Sequence, residues 1–478
     1  MQRNTLQSSC VFVLLATFCS SHVAPAETPA YFRRDSGVFD SVQPLPDNFS
    51  DDAVRVWRTE LPPGNSTPCV HGDAIYLTTW EQQQSRLATV ALDRTTGKLR
   101  WKQVVPTDEI EQVHPVGSPA SSSPACNGRH VLAFFGSYGL MCYDLSGKLL
   151  WEKKMGPFQD EFGASSSPIL ADGLVILNED HDIDSFVIAI DQQTGKTVWK
   201  TPRPDATRSY STPVIWNNGQ TKQVVVAGPL QLASYDLKTG EKQWWVNGLS
   251  RIVDPTPNLV DGLIYVATWT PGGDATQRIA MEPFPDALAN LDKNNDRLIE
   301  ESELPEGSPV ADRFFRIDLD QNEKLDESEW QRHASVFARA QNVAIAVRPG
   351  GRGDVTEKSV RWTFRRSLPT VPSSVVYDGV FYMVKDSGIV TSLDAADGTI
   401  LKQGRASGRG NYYASLVAGD SKVFFGSERG VITVLKAGRE WEILSSHDFG
   451  ERIMATPVAD AGQFLVRTDE ALYCFTKK

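Results

Sequence analysis

Residues 189–199 read Ala-Ile-Asp-Gln-Gln-Thr-Gly-Lys-Thr-Val-Trp, and the fold turns on how this stretch is read. An apolar pair leads into Asp191 and ends one strand, Thr194-Gly195-Lys196 makes a tight turn, and Val198-Trp199 opens the next strand. Glycine supplies the positive φ of such a turn, and an aspartate carboxylate can accept hydrogen bonds from the turn amides. The same grammar stands at residues 91–101 as Ala-Leu-Asp-Arg-Thr-Thr-Gly-Lys-Leu-Arg-Trp. A looser copy spans residues 234–244, and a copy one residue shorter runs from Cys142 to Trp151. A worn copy at residues 393–398 has lost its tryptophan.

Around these turns the chain repeats a larger unit. Each unit opens on small residues, mostly with proline, as in Ser66-Thr67-Pro68, Ser122-Ser123-Pro124, Ser166-Ser167-Pro168 and Ser211-Thr212-Pro213. The later openings are Pro255-Thr256-Pro257, Pro372-Ser373-Ser374, Ala414-Ser415-Leu416 and Ala455-Thr456-Pro457. An apolar strand follows each, and the Asp-Gly turn closes the units that keep it. Gly97, Gly147, Gly195 and Gly240 stand 50, 48 and 45 residues apart, but Gly398 lies 158 residues further on. If residues 283–340 are an insertion, the remainder holds two more repeats. Eight units of about four short strands predict an all-β, eight-bladed β-propeller of four-stranded antiparallel blades. The eighth unit lacks an outer strand, which residues 54–59 can supply, sealing the ring and removing its open edge. Trp101, Trp151, Trp199, Trp244 and Trp362 fall on outer strands and read as packing residues between blades.

The remaining composition bounds the function. A net charge of -11 argues against a general nucleic-acid binder. Arg3, the apolar run 11–18 and Ala24-Pro25-Ala26 read as an export signal over residues 1–26, and no later run is long enough to span a bilayer. A leader follows at 27–50, then propeller at 51–281, the insertion at 282–340 and propeller again at 341–478. Cys69, Cys126, Cys142 and Cys474 occupy no obvious cross-strand pairs and read as buried free thiols.

The Ala-x-Asp-x-x-Thr-Gly-Lys-x-x-Trp motif resembles the tryptophan-docking motif of the PQQ-like β-propeller superfamily, which takes in quinoprotein alcohol dehydrogenases and BamB-like proteins. The resemblance covers residues 52–281 and 341–478 and concerns the fold, because the motif is a packing device. It implies PQQ in the propeller centre as one alternative. No residue here matches the family's catalytic Asp or quinone ligands, and no adjacent cysteine pair is present.

The insertion carries different chemistry. Residues 292–303 and 318–329 both match the twelve-residue EF-hand loop. Calcium wants six to eight oxygens, and loop positions 1, 3, 5 and 12 bring side-chain oxygens to one point. These are Asp292, Asn294, Asp296 and Glu303 in the first loop, and Asp318, Asp320, Asn322 and Glu329 in the second. Leu298 and Lys324 offer the position-7 carbonyl, with Glu300 and Asp326 at position 9. Ile299 and Leu325 at position 8 suit pairing across the two loops. Residues 284–291 and 327–340 read as flanking helices, and Ser308-Pro309 as the start of another through Phe314, Phe315 and Ile317. Arg297 and Glu323 stand at position 6, where glycine is the rule, and must adopt a left-handed backbone.

Asp180, His181 and Asp182 read as a solvated loop, and Arg348 to Asp354 as a glycine-rich turn in the fifth blade. Arg208, Arg251 and Arg452 recur before unit openings, near the mouth of the central channel, where they would bind an anion or line the channel. The expectation is an exported, monomeric, non-catalytic propeller that holds calcium in the insertion and a protein or cell-envelope partner on its faces. A PQQ-dependent dehydrogenase is the alternative.

Overall fold

A computed structural model of the chain describes residues 28–39, 43–49, 54–107, 110–274 and 281–477. The expected export signal lies outside these residues. Eight four-stranded antiparallel blades form a propeller, as the repeat spacing predicts. Blade 3 shows the plan: Ile169–Ala171, Leu174–Glu179, Phe186–Asp191 and Thr197–Pro202 pair in chain order. The second and third strands are almost wholly buried, while the outermost alternates between exposed and packed positions. The last blade is completed by the strand Arg55–Glu60, which pairs antiparallel with Ala471–Thr476. The ring is thus sealed by the two ends of the chain.

The apolar cores lie between blades rather than within them. Leu132 and Phe134 of blade 2 pack with Val175 and Leu177 of blade 3 in one cluster. At the rim, each docking tryptophan lies on the turn glycine of the next blade. A Cβ on Gly240 would stand 2.5 Å from the Trp199 ring, whose Nε1 donates to the Leu237 carbonyl at 2.9 Å. Trp101 meets Gly147, Trp151 meets Gly195 and Trp362 meets Gly398 in the same way. Trp57 on Gly97 is a further member, although no copy of the motif leads into it. Trp244 departs from the expectation, because blade 5 has no such turn. Its Nε1 donates to Gln223 Oε1 at 2.9 Å, and the Gly353–Asp354 strand of the blade 5 loop pairs in parallel with Trp244 and Trp245.

The unit openings form an inner ring. The backbone amide of Thr67 donates to Ser123 Oγ at 2.9 Å, Ser123 to Ser167 at 2.9 Å, and Ser167 to Thr212 at 3.0 Å. The chain of bonds continues through Thr256, Ser373, Ser415 and Thr456, and Thr456 returns to Thr67 Oγ1 at 3.2 Å. One small hydroxyl residue per blade therefore closes a cyclic hydrogen-bond belt around the channel. This explains why Ser and Thr recur at that place: a larger side chain would fill the channel and lose the acceptor.

The leader is held by contact. Ala30 bridges Cys126, Val38 bridges Ala418, and the buried Arg33 donates to Leu416 O, Asn258 Oδ1 and Ser374 O at 2.7, 2.8 and 2.6 Å. It crosses the first strands of the blades. The helices Phe284–Leu291 and Glu327–Arg339 stand between the second and third strands of blade 5, Leu263–Thr268 and Val343–Val347. The expected helix after Ser308 is shorter than the sequence suggests. A 3-10 turn, Ala311–Arg313, leads into a single turn of helix, Phe314–Ile317, because the loop beginning at Asp318 follows at once. Among the described residues, no helix is long and apolar enough to cross a membrane. Cys69, Cys126, Cys142 and Cys474 are buried, and no disulfide joins them among the described residues.

Candidate functional site

Two places gather functional groups: the loops of the insertion and the central cavity. In the insertion, Ile299 pairs with Leu325 in a two-residue antiparallel ladder, and both side chains are fully buried. That ladder sets the two loops side by side. Each loop folds around its own carboxylates with the same bonding. Asp292 accepts from the amides of Asn295 and Arg297 at 2.7 and 3.0 Å, and Asp318 from those of Asn322 and Glu323 at 3.1 and 2.8 Å. Glu303 Oε1 reaches back to the Lys293 and Asn294 amides, and Glu329 Oε1 to those of Leu319 and Asp320. Asn294 and Asp296 in the first loop, and Asp320 and Asn322 in the second, accept from amides two residues on. Arg297 and Glu323 have φ of +67° and +65°, the left-handed backbone expected at position 6.

The loops differ in charge. Oxygens of Asp318, Asp320 and Glu329 lie within 4.8 Å of one another. Burial, with the Asp320 charge alongside, pushes the Asp318 and Glu329 carboxyls up. In the first loop, the Lys324 ammonium lies 2.9 Å from both Asp296 and Glu300 and holds Asp296 low. Lys324 thus stands at position 7 of the second loop and places its charge in the first. Leu298, at position 7 of the first loop, is half-buried beside Ile299.

The central cavity measures about 420 Å³ and is lined by the hydroxyl belt, with Glu161, Arg208, Tyr210, Arg251 and Asp254. Phe32 of the leader and Arg316 of the insertion also border it. Arg452 is not among its lining residues; its backbone amide donates to Asp469 Oδ1 at 3.0 Å. Arg208 bonds Asp182 through Nε and Nη2 at 2.6 Å each, and also pairs with Glu161. Asp254 Oδ1 is enclosed with no hydrogen-bond partner among the described residues, and burial with Asp160 nearby pushes its carboxyl up to about 7.

The Asp180–Asp182 stretch is buried, not solvated as its polarity suggests. Asp180, His181 and Asp182 are only 1%, 2% and 3% exposed. Arg203 of blade 3 forks onto Asp180 at 2.6 and 3.0 Å, and also bonds the Tyr235 hydroxyl of blade 4. His181 lies between Glu179, 3.2 Å from Nε2, and Asp160, 3.6 Å from Nδ1, and stacks on Phe158 at 4.0 Å. Asp160 in turn accepts from the Tyr210 hydroxyl at 2.7 Å. Burial alone would lower the histidine, but the two carboxylates outweigh it and push its pKa up to about 9. A folded pKa raised above the unfolded value of about 6.5 means that the native state holds the proton longer. This stabilisation is fully present below about pH 6.5 and is lost as pH rises toward 9. The thermal midpoint is therefore expected to fall between pH 6.5 and 9, and His181→Gln to flatten that fall; an unchanged slope in the variant refutes the assignment.

Sequence reading did not single out Asp160, Glu161, Glu179, Tyr210 or Asp254. Glu179 ends a strand and the others lie in loops without a motif, and they meet only when the ring closes.

No curated protein matches the sequence. Among solved structures, BamB from Moraxella catarrhalis is similar at 12% identity with a TM-score of 0.55, over 88% of this chain and 99% of that one. A europium-containing methanol dehydrogenase aligns at 11% identity and a TM-score of 0.53, over 91% and 86%. The quinohemoprotein alcohol dehydrogenase of Comamonas testosteroni gives 11% and 0.54, over 88% and 76%. At such identities these likenesses concern the fold alone. The family model described as outer membrane protein assembly factor BamB matches residues 48–201 and 333–478. With most of its propeller matched, the chain belongs to this PQQ-like β-propeller family.

Proposed function

We propose that the protein is an exported cell-envelope propeller that binds a protein partner through its faces and holds calcium in the two inserted loops. It acts as a binding protein rather than as a catalyst. The observation that carries the calcium reading is the gathering of Asp318, Asp320 and Glu329 oxygens around one point, with backbone amides directing each carboxylate. The donor set fits a hard cation: Asp318, Asp320, Asn322 and Glu329 side chains with the Lys324 carbonyl, and Asp292, Asn294, Asp296 and Glu303 side chains with the Leu298 carbonyl. The second loop fills first, because calcium in the first must displace the Lys324 ammonium from Asp296. Calorimetric titration of the metal-stripped chain tests this: two binding events of unequal affinity are expected, and an absence of calcium heat overturns the reading.

Position 6 tunes the affinity. A non-glycine residue in left-handed backbone costs about 1–2 kcal/mol, so Glu323→Gly is expected to tighten the second loop about tenfold. Calcium affinity of the variant equal to or weaker than that of the parent chain sinks this account.

The partner-binding reading rests on the family, whose model is described as an assembly factor. The quinone-dependent reading draws on the central cavity. Against it, the Arg208 fork is already closed by Asp182 and Glu161. Dye reduction on alcohols with added PQQ and calcium would reverse the preference.

A further inference from the structure

Five arginines meet where the inserted helices rest on the propeller. Arg208 and Arg251 come from the loops before the unit openings, Arg313 and Arg316 from the short turn ahead of the second calcium loop, and Arg332 from the helix after it. Arg208 is neutralised by Asp182 and Glu161, and Arg316 lies 3.7 Å from that same Glu161. Arg251, Arg313 and Arg332 have no ion-pair partner among the described residues. Arg251 spends its Nε on the Pro271 carbonyl, Arg332 one Nη on the Ala206 carbonyl, and its Nε is buried without a partner. Arg251 and Arg313 both lie over the Phe337 ring, at 5.4 and 5.2 Å. His333 stands 4.5 Å from that ring with Nε2 unpartnered. Drawing this many cations together, with Arg208, Arg251 and Arg332 largely out of water, is unfavourable unless an anion joins them.

The adjoining cavity supplies the complementary donors. Each of the eight belt hydroxyls accepts a hydrogen bond from a neighbouring blade, and none donates to a protein acceptor among the described residues. Their O–H groups are therefore free for a ligand. Arg251 and Arg316 border this cavity directly. The guanidinium fork matches the paired oxygens of carboxylate and phosphate groups. All five arginines fall outside the segments that the family model matches, 48–201 and 333–478.

We propose that the mouth of the central cavity is a binding site for a small multivalent oxyanion, held by Arg251 and Arg316, supported by Arg313, and reached by the belt hydroxyls. Glu161 stays paired with Arg208 and marks the edge of the site. Asp254 also lines this cavity, with its Oδ1 enclosed and without a hydrogen-bond partner among the described residues.

Binding of sulfate, inorganic phosphate and succinate to the mature chain, measured calorimetrically at constant ionic strength against chloride, tests the proposal. Saturable binding of at least one is expected. Sulfate and phosphate binding without succinate identifies a tetrahedral anion, and the reverse a dicarboxylate. Arg316, with 45% of its side chain exposed, can be changed without opening the core. Arg316→Gln is expected to weaken binding about tenfold or more, as removal of one charged hydrogen-bond donor does. Arg251→Gln is expected to act in the same direction. Saturable binding by none of the three anions, or full affinity in Arg316→Gln, overturns the proposal; the Arg316→Gln result decides even if Arg251→Gln fails to fold.

Discussion

Trp199→Ala is expected to lower the stability of the propeller by about 3–5 kcal/mol, the range for emptying a packed indole site. Trp199 is 8% exposed, lies on Gly240 of the next blade and donates to the Leu237 carbonyl. Thr201 adds a second bond to the same turn, from its hydroxyl to the Gly240 carbonyl at 2.7 Å. The substitution thus removes the joint between blades 3 and 4 and leaves a void that rigid strands cannot collapse around. Gly240→Ala attacks the same joint from the other side. It strains a φ of +73° and places a Cβ 2.5 Å from the indole. The double variant is expected to be less destabilised than the sum of the singles, because without the indole the new methyl meets no ring. Val198→Ala, at a position 49% exposed, is expected to change stability by less than about 0.5 kcal/mol. Thermal and urea midpoints of the four variants check this; additive losses, or a Val198 effect equal to that of Trp199, would refute the docking account.

Calcium binding is expected to separate into two events that two substitutions assign. Glu329→Gln removes the carboxylate that gathers the Leu319 and Asp320 amides and faces Asp318, and it is expected to abolish the tighter event. Glu303→Gln is expected to abolish the weaker one, in the loop where Lys324 already neutralises Asp296 and Glu300. The double variant should take up no calcium. Because Ile299 and Leu325 pair across the loops, filling the second is also expected to raise the affinity of the first. Calcium heats that persist in the double variant, or a tighter event lost in Glu303→Gln instead, would reverse the assignment.

Much of this was legible in the residues. Hairpins are local, so the Asp-Gly turns and apolar strands reported blade number and register directly. The paired loops of the insertion were legible for the same reason: each is a run of twelve consecutive residues, and the Ile299–Leu325 pairing that joins them falls where position 8 suggested. Asp180, His181 and Asp182 were misread because their polarity resembles a surface loop, whereas their burial depends on Phe158, Arg203 and Arg208 from elsewhere in the chain.

The sequence by itself determined the repeat, the all-β class and the sealing of the last blade by the first strand. The repeat and the class follow from spacing within a few tens of residues, and the sealing from the outer strand that the eighth unit lacks. Only the tertiary structure decided that the small-residue openings join into a hydroxyl belt, that Arg33 ties three blades, and that five arginines meet under the insertion. Those groups lie on separate blades and loops, up to hundreds of positions apart. Closure of the ring brings them together, and no local pattern encodes which side chains will then face one another.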